Sequence, residues 1–139
     1  MRLEHLCDFD LAYTTDFLLV QPFGGEEGAG YGEGDGTVTG RLSGRVRWVN
    51  HPRRRSDAVM LPSTDGWVET DDGSRVLFTF EGRTPTTGPQ AGQQLLRVGF
   101  VAEEPYAWLN TVFAVAEGRV HFETLRALIR VHECLHELE

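Results

Sequence analysis

Apolar and polar residues alternate through short runs, and turn-forming residues separate the runs. Alternation with period two is the pattern of a half-buried β-strand. Leu3 to Asp10 alternates in this way, and Ala12 to Val20 carries Tyr13, Phe17, Leu18, Leu19 and Val20. Thr37 to Gly44 reads as a strand and a bend. Arg45 to Val49 follows, with Val46 and Trp48 on one face and Arg45 and Arg47 on the other. Asp57 to Leu61 is a short strand ended by Pro62. Trp67 to Thr70 and Ser74 to Glu81 flank Asp71-Asp72-Gly73, a hairpin signal because glycine accepts the positive φ of the turn. Leu95 to Ala102 and Tyr106 to Ala116 are further strands, the second closed by Glu117-Gly118. Val120 to Leu125 and Leu128 to Glu133 read as the last two. Phe122, Leu125, Leu128 and Ile129 also fit a helical stripe, so the C-terminal segment stays open between strand and helix.

Three stretches read as loops: Pro22 to Gly36, His51 to Arg55 around Pro52, and Thr84 to Gly92. The first holds Gly24, Gly25, Gly28, Gly30, Gly32, Gly34 and Gly36 among Glu26, Glu27, Glu33 and Asp35. We read residues 22–36 as a flexible glycine-rich, acidic loop, able to act as a lid. No G-x-G-x-x-G or Walker spacing occurs in it, and its carboxylates oppose phosphate.

Short strands spaced by turns, with no βαβ alternation, predict an all-β fold: an antiparallel β-barrel of about 8–10 strands with an internal cavity. The 139 residues suit one domain over 1–139. The formal net charge of −8 argues against a nucleic-acid partner, which needs a basic face. Arg53-Arg54-Arg55 reads as a solvated loop. Met1 to Asp10 lacks the apolar core of a secretory signal, no run reaches the length of a membrane span, and only Cys7 and Cys134 are thiols. A cytoplasmic protein with no membrane partner is the expectation. Exposed barrel faces make a homodimer a reasonable expectation.

Thr70-Asp71-Asp72-Gly73 before an apolar strand ending near Gly82 resembles the bacterial domain-of-unknown-function family DUF 3237. Tyr106-Ala107-Trp108-Leu109-Asn110, running into Glu117-Gly118, is similar to a second motif of that family; Arg2-Leu3-Glu4 and Gly36 to Gly44 fit less sharply. The resemblance implies a small β-barrel with an interior cavity and no particular reaction. Phe80 stands where the family pattern has asparagine, and Asn50 to Ser56 is arginine-rich rather than glycine-rich.

Several constellations bear chemistry. His132-Glu133-Cys134-Leu135-His136 matches H-E-x-x-H, which grips zinc from a helix; on a strand His132, Cys134 and His136 would share a face, which leaves adventitious metal binding open. The resemblance puts it on the closing strand, so we assign no metal. Cys7 and Cys134 come near each other if first and last strands pair, and read as inert thiols. On a strand, Tyr106, Trp108 and Asn110 share a face able to orient a carbonyl and steady enolate-like charge. Asp57, Glu69 and His132 are the candidate general bases. The candidate catalytic set is therefore Asp57, Glu69, Tyr106 and Asn110, with Trp48, Trp67, Phe80, Trp108 and His132 against the substrate. The expected function is a cofactor-independent isomerase, cyclase or lyase acting on an apolar, carbonyl-bearing or polyketide-like metabolite. A non-catalytic small-molecule-binding or structural barrel is the alternative.

Overall fold

Strict alternation decides the architecture. In the strand at 75–85, Val76, Phe78 and Phe80 are buried while Leu77 and Thr79 face out. Such strands cover a core with one face only and must curl around it.

The computed structural model describes Met1 to Glu139. Its strands are β1 (Arg2–Tyr13), β2 (Leu18–Val20), β3 (Gly28–Gly40), β4 (Gly44–Asn50), β5 (Arg53–Arg54), β6 (Val59–Leu61), β7 (Ser63–Thr70), β8 (Arg75–Pro85), β9 (Gln93–Ala102), β10 (Ala114–His121) and β11 (Arg126–Leu135). Eight of them, β1, β3, β4, β7, β8, β9, β10 and β11, close an antiparallel barrel in chain order. Closure comes at β1, which pairs with β11 (Arg2 opposite Leu135, Ala12 opposite Arg126) and with β3 (Tyr13 opposite Gly34, Cys7 opposite Gly40). A closed barrel leaves no edge strand unpaired. The short strands β2, β5 and β6 join the start of β3 to the end of β8 in a second sheet, which extends the wall at one end.

Aromatic side chains fill the middle. Phe9, Phe78 and Phe80 pack with ring centroids 4.9 to 5.1 Å apart. Leu6, Leu42 and Leu109, none with exposed surface, plug the end away from the short strands. The hairpin at Asp71-Asp72-Gly73 forms as the sequence predicts, with Gly73 at φ +84°.

Two expectations are corrected, and the choice left open at the C-terminus is decided. Residues 28–36 are not a loop: only residues 21–27 are, and Gly28 to Gly36 form the first part of β3. Glycine recurs there at every second position and faces inward, while Glu33, Asp35 and Thr37 face out. Neighbours leave no room for a side chain. A Cβ on Gly32 would sit 2.2 Å from the Tyr13 ring, and one on Gly34 would sit 1.9 Å from the Ala12 carbonyl oxygen. Next, Ala107–Thr111 is a 3-10 turn rather than a strand, because its Leu109 is drawn into the plug and Asn110 binds the backbone of Ala102. Last, the C-terminal segment is a strand from Arg126, entered through a turn at Leu125. No helix of the chain is long and apolar enough to cross a membrane.

Candidate ligand-binding site at the barrel mouth

An eight-stranded barrel is just wide enough for its own side chains, and here they occupy it. The space for a ligand therefore lies at the mouth, under the small second sheet. It is a pocket of about 260 Å³, continued toward the barrel axis by a recess of about 30 Å³, room for roughly one water.

Same-face pairs at strand ends build the walls. Asn50, Pro52 and Arg54 alternate along β4 and β5; Met60 and Pro62, Thr84 and Thr86, and Val120 and Phe122 do so elsewhere. Tyr13, at the end of β1, stands between Phe17 and Trp48, with ring centroids 6.0 and 4.7 Å away. The inward glycines of β3 leave space for these rings.

The polar groups are few and ordered. The Ser63 backbone N–H donates to Asn50 Oδ1 at 3.1 Å, which fixes the amide. Asn50 Nδ2 then donates to the Tyr13 hydroxyl at 3.4 Å. Tyr13 therefore accepts from the protein and keeps its own O–H free as a donor. Burial pushes the Tyr13 phenol above its ordinary pKa, with the Asn50 bond opposing, so it stays protonated at neutral pH. Gln94 is buried and donates Nε2 to Thr84 Oγ1 at 3.1 Å, while its other amide atom, Oε1, has no partner. The one charged residue in the wall is Arg54. Its Nη2 donates to Glu26 Oε2 at 2.9 Å at the rim, and its buried Nε has no partner. A wider depression, about 840 Å³, lies along β1, β10 and β11; in it Arg130 pairs with Asp8 at 3.1 Å, and Asp10 is taken by Arg126.

Of the residues singled out from sequence, Trp48 and Phe80 line the inner recess. Trp48 is buried and donates its indole N–H to the Asp35 carbonyl at 2.9 Å. The others lie elsewhere. Asp57 is exposed; its carboxylate accepts from Arg55 and from the Val59 N–H, which hold it below the usual carboxylate range, the opposite of a raised base. Glu69 and Trp67 are on the outer face of β7, beside Arg45 at 3.6 Å and under the Arg75 guanidinium at 5.5 Å. Trp67, two residues before Glu69, points outward because the inward positions of β7 are Thr64, Val68 and Thr70. Asn110 receives the Ala102 N–H and donates to the Ala102 carbonyl, each at 2.7 Å, so its amide is spent on the turn. Tyr106 packs partly buried against the core at the plugged end, and Trp108 lies half exposed under Arg41, 4.9 Å away. His132 faces out toward His5, ring centroids 6.1 Å apart. The H-E-x-x-H run sits on β11 and the tail, so helical spacing of its imidazoles does not arise.

Cys7 and Cys134 do lie on paired strands, but Cys7 is opposite Val131 and Cys134 opposite Leu3, and both are free. Burial pushes the Cys7 thiol up to about 12.

No protein-family model and no curated protein matches the sequence. Solved structures do match in fold. A protein of unknown function from Clostridium acetobutylicum superposes with a TM-score of 0.84 at 16% identity, covering 97% of this chain and 100% of that one. A β-barrel-like protein from Acinetobacter baumannii gives 0.81 at 18% identity, covering 95% and 94%. A protein described as an enzyme, from Penicillium herquei, gives 0.73 at 19% identity, covering 96% and 94%. At these identities the likeness is one of fold.

Proposed function

We propose that this chain is a small-molecule-binding barrel whose ligand sits in the mouth pocket. One observation carries the reading: a largely apolar pocket lined by Arg54 and Gln94, side chains whose buried Nε and Oε1 the protein itself leaves unpaired. A buried polar group without a partner costs about 1–3 kcal/mol, and a ligand that pairs with it recovers that cost. Convergent polar groups in an apolar concavity are the ordinary form of a small-molecule site. The resemblance to the DUF 3237 family belongs to the same proposal, supported by the barrel and its Thr70 to Gly73 turn.

Trp48, buried beside Tyr13, supplies the test. Replacing Trp67 and Trp108 by Phe leaves Trp48 as the sole tryptophan of the three in the chain. Fluorescence of this variant should change saturably when a one- or two-ring fragment enters the mouth. If no member of a fragment set alters Trp48 emission, the pocket is not a ligand site.

A second reading is carried by Tyr13. Its free, protonated O–H faces a pocket without carboxylate or imidazole, so a cofactor-free isomerase, cyclase or lyase would use it as the acid that protonates or polarises a substrate oxygen. The neighbour described as an enzyme gives this reading some support. Tyr13→Phe keeps the ring and removes the proton. It should abolish turnover while leaving Trp48-detected binding within a few fold, and unchanged turnover would exclude the role.

A further inference from the structure

Resting on the mouth pocket as the ligand site, we infer that its ligand is a compact organic acid whose carboxylate pairs with Arg54.

Arginine–carboxylate pairs on this barrel show what Arg54 withholds. Arg126 gives both Nε (2.9 Å) and Nη2 (2.5 Å) to Asp10, and Arg55 gives both to Asp57. Arg54 gives Glu26 only Nη2. Its Nε is retained in the pocket wall, buried and without an acceptor. A planar guanidinium binds a carboxylate most strongly through two parallel N–H bonds, so Arg54 stands half engaged. The rest of the lining is neutral: Tyr13, Asn50, Thr84, Thr86 and Gln94 among apolar side chains. A lone cation in apolar walls selects an anion and disfavours a cation.

The register gives the ligand its second end. Arg54 is opposite Gly28 of β3, and Asn50 is opposite Gly32. Four residues of strand separate these levels by about 13 Å. Arg54 therefore stands at the rim and the Asn50–Tyr13 pair toward the barrel, where Tyr13 offers its proton to an oxygen. Gln94, held by Thr84, keeps its buried Oε1 unpaired beside Gly118. The matching molecule has a carboxylate at one end, one or two rings or a short branched chain in the middle, and a carbonyl or hydroxyl oxygen at the other. A volume of about 260 Å³ falls just under the usual range for drug-sized ligands, so the acid is small. Glu26 is the group it competes with for Arg54.

Calorimetric titration of the whole chain with 2-naphthoic acid and 2-naphthamide, equal in shape and different in charge, tests the assignment. The wild type should prefer the acid by about tenfold or more, the range for hydrogen bonds to charged groups. Arg54→Met should bring the two to parity. Glu26→Gln, which removes the competing carboxylate and leaves Arg54 in place, should tighten acid binding a few fold and leave the amide unchanged. Equal binding of acid and amide to the wild type overturns the inference, as does a preference that survives Arg54→Met or is weakened by Glu26→Gln. If neither probe binds while neutral fragments still alter Trp48 emission, the acid assignment falls and the pocket stands. If nothing alters Trp48 emission, both fall.

Discussion

The two ends of this barrel use the same strands in opposite ways. At the plugged end, Leu6, Leu42, Leu109, Val68, Val76 and Val131 have no exposed surface, and Phe78 and Phe9 pack just above them. At the mouth, Phe122 is 48% exposed, Tyr13 and Asn50 are half-buried, and two polar atoms lack partners. The cause is local. Inward Leu, Val and Phe side chains, with Ala114 and Ala116 from β10, complete the packed end, whereas at the mouth β3 presents glycine after glycine and the wall is extended by three short strands. An eight-stranded barrel thus acquires a pocket where side-chain volume is removed, without widening the barrel itself.

The largest expected effect is on the packed end. Phe78→Ala should cost about 3–5 kcal/mol in urea unfolding, whereas Phe122→Ala at the mouth should stay within about 1 kcal/mol. Equal losses would mean that the mouth is core. Next comes the glycine row. Gly34→Ala, aimed at the fixed Ala12 carbonyl, should destabilise by about 1–3 kcal/mol. Gly32→Ala meets a Tyr13 ring that can swing, so it should cost less and instead shrink the pocket, read as weaker fragment binding. Asn110→Ala, at the other end, should cost about 1–3 kcal/mol through two lost bonds to Ala102 and leave binding unchanged; a loss of binding without a loss of stability would restore Asn110 to the site.

The effects of pH vanish near neutrality and emerge only at the alkaline and acid limits. Cys7, raised to about 12 by burial, stays neutral in the fold while an unfolded thiol ionises near 8.5. Its contribution is present below about 8.5 and is lost as pH rises toward 12, so Cys7→Ala should flatten the alkaline limb of a stability profile. Asp10 is held below its ordinary value by the Arg126 hydrogen bonds, against a smaller opposing effect of burial. Its contribution is present above about pH 4 and is lost as pH falls through the lowered folded value. Asp10→Asn should flatten the acid limb. Both residues lie on β1, Cys7 buried in the packed half and Asp10 on the outer wall, and neither variant should alter ligand binding.

Much of the fold was legible because alternation reports directly on a one-sided core. Val46 and Trp48, Val76, Phe78 and Phe80 all point where their period places them. Gly28 to Gly36 misled because glycine has no apolar signal to alternate; its strict period of two, set against Glu33 and Asp35, was the cue. Tyr106 to Asn110 misled because an apolar run does not distinguish a strand from a turn that buries one leucine. Of the site, Trp48 and Phe80 were visible as inward aromatics. Arg54 was hidden in a run of three arginines, although the alternation Trp48, Asn50, Pro52, Arg54 places it on the inner face. Tyr13 and Gln94 carry no local signature; only closure of β1 against β3 and β11 brings the rings of Tyr13 and Trp48 together.

The central claim is that the mouth, and not the packed end or the outer face, receives a small molecule. Titrating the isotope-labelled protein with the fragments that alter Trp48 emission, and following backbone amide shifts, tests it most directly. The account predicts shifts confined to Tyr13, Gly30, Gly32, Asn50, Arg54, Thr84, Gln94 and Val120. Shifts centred instead on the Asp8 to Arg130 depression, or around Trp67 and Glu69 on the outer wall, would contradict it.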